Sequence, residues 1–114
     1  MNSLFTIILA VGSFYHTALK ASNPAKGAVV AAPTLVSLTF TEKVNAALSS
    51  ISVLKADSTE VEKLVVKPTT DPARIEGAVR TKLAPAQYII RWKTVSADGH
   101  VVRNVFAFTV KPST

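Results

Sequence analysis

Asp98-Gly99-His100 sets a carboxylate and an imidazole two residues apart. The flanking runs, Tyr88 to Val95 and Val101 to Val110, read as strands, so both side chains stand on one strand-to-strand connection and can project toward one point. Of the 2 histidines in the chain, the other is His16, at the end of a short apolar leader. Our reading is that His16, Asp98 and His100 meet around a metal ion. If processing makes His16 the first residue, its α-amine and its Nδ1 chelate one ion together. The ligand set is then two imidazoles, an amine and a carboxylate, and a tetragonal N,O set of that kind suits Cu(II) best among the first-row divalent ions. Soft donors for Cu(I) are missing, since the chain has 0 cysteines and its 1 methionine is the initiator. The nitrogen donors bind only when deprotonated, so affinity should fall in acid. Taken singly, an Asp-x-His turn is as compatible with an ordinary solvated loop, and Glu42 with a surface charge.

The elements that must position these residues are strands. Leu35 to Phe40 alternates, with Val36, Leu38 and Phe40 on one face, and Thr41-Glu42-Lys43 follows where that strand reaches an end of the fold. Thr17 to Ser22 reads as an edge strand, and Asn23-Pro24-Ala25-Lys26-Gly27 as a turn. Further strands are expected at Ile51 to Lys55, Val61 to Lys67 and, more weakly, Arg74 to Val79. In the last strand Val105, Ala107 and Thr109 oppose Phe106, Phe108 and Val110. No stretch carries an apolar stripe of helical period and length, although Val44 to Ser50 has room for one helical turn. Short strands separated by turn signals argue for an all-β sandwich or barrel. Trp92, Tyr88, Phe106 and Phe108 then belong to the core.

The 114 residues suit one domain. With 48% hydrophobic and 18% charged residues the composition is globular, neither disordered nor collagen-like. The absence of cysteine removes disulfides, thiolate metal sites and thiol nucleophiles. The net charge is +6, but the lysines and arginines are scattered and no aromatics interleave with them, so no nucleic-acid partner is expected. Leu4 to Gly12 is too short to span a membrane as a helix and has the length of a secretory hydrophobic region. Residues 1–15 are read as a signal peptide and 16–114 as the mature domain. Ala10-Val11-Gly12 offers small residues for cleavage, whereas a cut before His16 leaves Tyr15 where a small side chain is preferred. Left uncut, the segment would be an extra N-terminal strand or core segment.

The run from Leu83-Ala84-Pro85-Ala86-Gln87-Tyr88 through Trp92-Lys93-Thr94-Val95-Ser96-Ala97-Asp98-Gly99-His100 to Phe106-Ala107-Phe108-Thr109-Val110 resembles the C-terminal half of the copper resistance protein C (CopC) family. His16-Thr17-Ala18-Leu19, Ser22-Asn23-Pro24-Ala25-Lys26-Gly27-Ala28 and Leu38-Thr39-Phe40-Thr41-Glu42 extend the resemblance over residues 16–110. The resemblance implies a Greek-key, immunoglobulin-like or cupredoxin-like β-sandwich of about seven strands, located in the periplasm or otherwise outside the cytoplasm. It implies a mature chain beginning at the metal-binding His16, with Asp98 and His100 completing a Cu(II) site. Glu42 is implied as an auxiliary ligand or a group just behind the ligands. Lacking the methionines of relatives that bind Cu(I), the chain resembles the Cu(II)-only kind. Two positions depart from the family pattern: Ala86 and Asn104 stand where glycines are usual, and Asn104 tolerates positive φ better than most residues.

The function expected on these grounds is binding rather than catalysis: a Cu(II) protein that sequesters or carries the ion for homeostasis and resistance. A CopD-like inner-membrane importer is an implied recipient, and a monomer is expected. The alternatives are a copper enzyme with an N-terminal histidine brace and a metal-free immunoglobulin-like interaction module. An anionic ligand such as Asp98 stabilises Cu(II) against reduction, which counts against redox turnover.

Overall fold

The computed structural model describes residues 17–113. His16 and the leader therefore lie outside the described residues. Nine strand segments form two sheets: β1 (Leu19–Asn23), β2 (Val29–Val30), β3 (Leu35–Phe40), β4 (Ser50–Lys55), β5 (Glu60–Lys63), β6 (Val66–Pro68), β7 (Arg74–Ala78), β8 (Ala86–Val95) and β9 (Val101–Val110). One sheet has the order β1-β3-β7-β6 and the other β2-β9-β8-β4-β5. Consecutive strands either form hairpins or cross to the opposite sheet, the wiring of a Greek-key sandwich.

The alternation read from the sequence is the alternation of burial. Val36, Leu38 and Phe40 on β3 face Ile51 and Val53 on β4, Tyr88, Ile90 and Trp92 on β8, and Phe106, Phe108 and Val110 on β9. All of these are buried. Phe40 and Trp92 meet edge to face across the sandwich, with ring centroids 5.1 Å apart and planes at 65°. Tyr88 stacks on Phe108 and donates its hydroxyl proton to the Ala84 carbonyl at 2.7 Å, so its polar end is satisfied.

Some elements differ from expectation. Val61 to Lys67 is not one strand. It breaks at Leu64-Val65, leaving β5 in one sheet and β6 in the other. Leu64 is buried and its N–H donates to the Ile51 carbonyl at 2.9 Å, so the chain dips into the core as it changes sheets. The dip requires Gly77 on β7: a Cβ there would lie 2.8 Å from Leu64 Cβ. Val29–Val30 adds a short parallel pairing with β9 that no sequence signal marked. The helical turn is a single 3-10 turn, Ala46–Leu48. Asn104 does not use positive φ; among the described non-glycine residues only Ser58 does. Asn104 pairs with Trp92 in the ladder, and its Oδ1 accepts the Val105 N–H at 2.8 Å.

Candidate metal centre

The β8–β9 hairpin is the longest ladder among the described residues, running in unbroken register from Ala86↔Val110 to Val95↔Val101. It ends in the loop Ser96 to His100. Gly99 holds that loop at φ +90°, a conformation that favours glycine. The Gly99 N–H donates to the Ser96 carbonyl, and the Ser96 N–H to the His100 carbonyl, both at 2.9 Å. Inside this frame the two side chains meet: His100 Nδ1 lies 2.9 Å from Asp98 Oδ2. The buried Ser96 hydroxyl donates to Asp98 Oδ1 and accepts the His100 N–H at 3.2 Å. Donation from Ser96, and then the contacts with His100, pull the Asp98 carboxyl from 3.8 down to about 2. Asp98 is thus a carboxylate at any ordinary pH. Both side chains remain open to solvent, 60% exposed for Asp98 and 61% for His100.

A second strip of chain joins this loop to the start of β1. Beyond β3, Thr41 donates its N–H to the Ala18 carbonyl at 2.9 Å and accepts the Ala18 N–H on its hydroxyl at 3.0 Å. The buried Thr17 hydroxyl donates to Glu42 Oε2 at 3.0 Å. Val44 then forms an antiparallel bridge with Ser96, and the Asn45 N–H donates to the Val95 carbonyl at 2.8 Å. Residues 41–45 are therefore stitched to the start of the described chain on one side and to the Asp98 loop on the other. Glu42, Lys43, Ser96, Ala97 and Asp98 line one shallow depression between them.

Of the four residues singled out by sequence, Asp98 and His100 are in direct contact, Glu42 lines the same depression as Asp98, and His16 lies outside the described residues. Among the described residues no three His, Cys, Asp or Glu side chains gather closely enough to hold an ion. The described part of the centre supplies one imidazole and one carboxylate, hard N and O donors that fit a divalent ion but do not complete its shell. Sequence reasoning assigned no role to Ser96, Thr17 or Thr41. A Ser two residues before an Asp at a turn was a readable signal, because such hydroxyls bond locally. The Thr17–Glu42 contact joins residues 25 positions apart and left no local trace.

The fold is a two-sheet β-sandwich that presents a carboxylate and an imidazole in contact on one hairpin loop. The chain belongs to the CopC family: the family model, described as the CopC domain, matches residues 19–111. Copper resistance protein C of Escherichia coli is 31% identical over 110 residues, covering 90% of this chain and 87% of that protein. The crystal structure of CopC from Methylosinus trichosporium OB3b superposes with a TM-score of 0.80 at 34% identity, covering 87% of this chain and 97% of that one. The structure of PcoC, a methionine-rich copper resistance protein of Escherichia coli, gives 0.70 at 29% identity, covering 84% and 99%. The present chain, with 1 methionine, does not share that richness.

Proposed function

We propose that this protein binds Cu(II) outside the cytoplasm and holds or carries it, without catalysing a reaction. Residues 1–15 act as the export signal and 16–114 as the mature domain. The ion sits between His16, through its freed α-amine and imidazole, and the Asp98–His100 loop. The observation that carries this reading is the path from Thr17 through Glu42 and Val44 to Ser96, which sets the start of the described domain beside the loop.

The chemistry follows from the hydrogen bonds. Asp98 holds the His100 ring through Nδ1, so the reading has His100 coordinate through its other ring nitrogen. Each oxygen of a carboxylate accepts more than one bond, so Asp98 can steady the ring and still offer an oxygen to the ion. Glu42 adds negative charge beside the site, partly offset by Lys43. Relatives named for copper resistance support copper as the cargo. Release to a CopD-like inner-membrane importer, by a monomeric carrier, completes the proposal.

The test is the intact mass of the secreted protein together with a Cu(II) titration. The expected result is a chain beginning at His16 that takes up one Cu(II). A chain that keeps residues 1–15, or shows no saturable uptake, would contradict the reading.

A further inference from the structure

The outer face of the five-stranded sheet carries charge that the metal centre does not use. The core-facing side chains of β8 and β9 alternate with Ile89, Arg91, Lys93 and Val95 on one strand and Val101, Arg103, Val105 and Ala107 on the other. Lys93 stands directly opposite Arg103. Arg91 stands opposite Val105 on one side and Ser52 on the other, and Ser52 in turn opposite Lys63 on β5. With strands about 4.8 Å apart, these four cations spread over roughly 14 Å of sheet. The acid on this face is Glu60, 3.4 Å from Arg91.

Like charges directly opposite in an antiparallel pair cost stability. Neither Lys93 nor Arg103 makes an ion pair with another described residue to offset that cost. The cations do not converge on one point as in a pocket; they form a lattice on long stems across four strands. Val101 and Val105, 52% and 53% exposed, stand among them. A second copy of the same face is excluded as occupant by its own charge. A lattice of separate cations with apolar side chains between them suits a surface of many separate anions over an apolar layer.

We propose that this face docks the protein on an anionic membrane surface, with Lys63, Arg91, Lys93 and Arg103 against lipid phosphates and Val101 and Val105 at the headgroup boundary. The attraction of each such cation to an anionic bilayer falls off within a Debye length. The inference does not depend on where copper binds.

The test is co-sedimentation of the full chain with phosphatidylglycerol-containing and pure phosphatidylcholine vesicles. We expect partition into the anionic vesicles, reversed by 0.5 M salt and reduced about tenfold or more in K93E/R103E. The control K20E/K67E removes the same charge from exposed positions on the other sheet and should keep its binding. Cu(II) uptake by K93E/R103E should be unchanged, which also reports that it folds. Equal partition into both vesicle types, or equal loss in both double variants, would overturn the proposal. So would vesicle-independent retention on immobilised poly-glutamate that only K93E/R103E loses, which assigns the face to an acidic protein.

Discussion

Val44 pairs with Ser96 in an isolated antiparallel bridge. That contact ties the segment following β3 to the first residue of the Asp98–His100 loop, and the Thr17–Glu42 hydrogen bond ties the same segment to the start of the described chain. The start of the described chain and the Ser96 loop lie at one end of the sandwich because residues 42–44 are bonded to both.

Removing the loop donors should separate their roles. Asp98→Ala should weaken Cu(II) binding about 10- to 100-fold, the usual cost of losing a group that orients a metal-bound histidine. His100→Ala should cost at least as much, since it removes an imidazole donor. Competition titration checks both, and unchanged affinity in both variants would remove the loop from the site.

Thr17→Val deletes a buried hydroxyl with little change in shape. It should lower stability by about 1 kcal/mol and weaken Cu(II) binding, because the Glu42 side of the centre loosens. Thr17→Ser should restore both, read by denaturant unfolding and copper titration.

Gly77→Ala tests the sheet crossover. Its methyl group would sit 2.8 Å from Leu64 Cβ and 3.3 Å from the Val65 carbonyl oxygen, so β7 or the crossover must shift. Crowding of this kind costs about 1–3 kcal/mol. Chemical denaturation measures it, with Cu(II) affinity little affected.

Glu62 gives a pH dependence away from the metal. Its carboxylate accepts the Thr81 N–H at 2.9 Å, the larger cause, and the Arg80 N–H at 3.0 Å, and these bonds hold its pKa below 4.5. A depressed folded-state pKa contributes stability above the unfolded value and loses it as pH falls through the folded one. Glu62→Ala should therefore be less stable than wild type by about 1 kcal/mol at neutral pH. The gap should close below pH 4.5 in urea titrations across pH, and a gap independent of pH would contradict the assignment.

Residues with a local signature were legible from the chain alone. Val36, Leu38 and Phe40 alternate strictly and line the core, and Gly99 marks the bend between Asp98 and His100. The break at Leu64 was not legible, because Val61 to Lys67 reads as one strand and the cause, Gly77, lies on a different strand. Nor was the cross-strand meeting of Lys93 and Arg103, which appears only once the register is known. Nothing in the sequence signalled the direct contact between His100 Nδ1 and Asp98, through which the carboxylate holds the ring.

The most direct measurement is electron paramagnetic resonance of the one-equivalent Cu(II) complex of the secreted protein, beside its His16→Ala and His100→Ala variants. The account predicts a tetragonal, nitrogen-rich signal that loses nitrogen coupling in each variant. A signal identical in all three proteins would show that the two histidines do not share an ion.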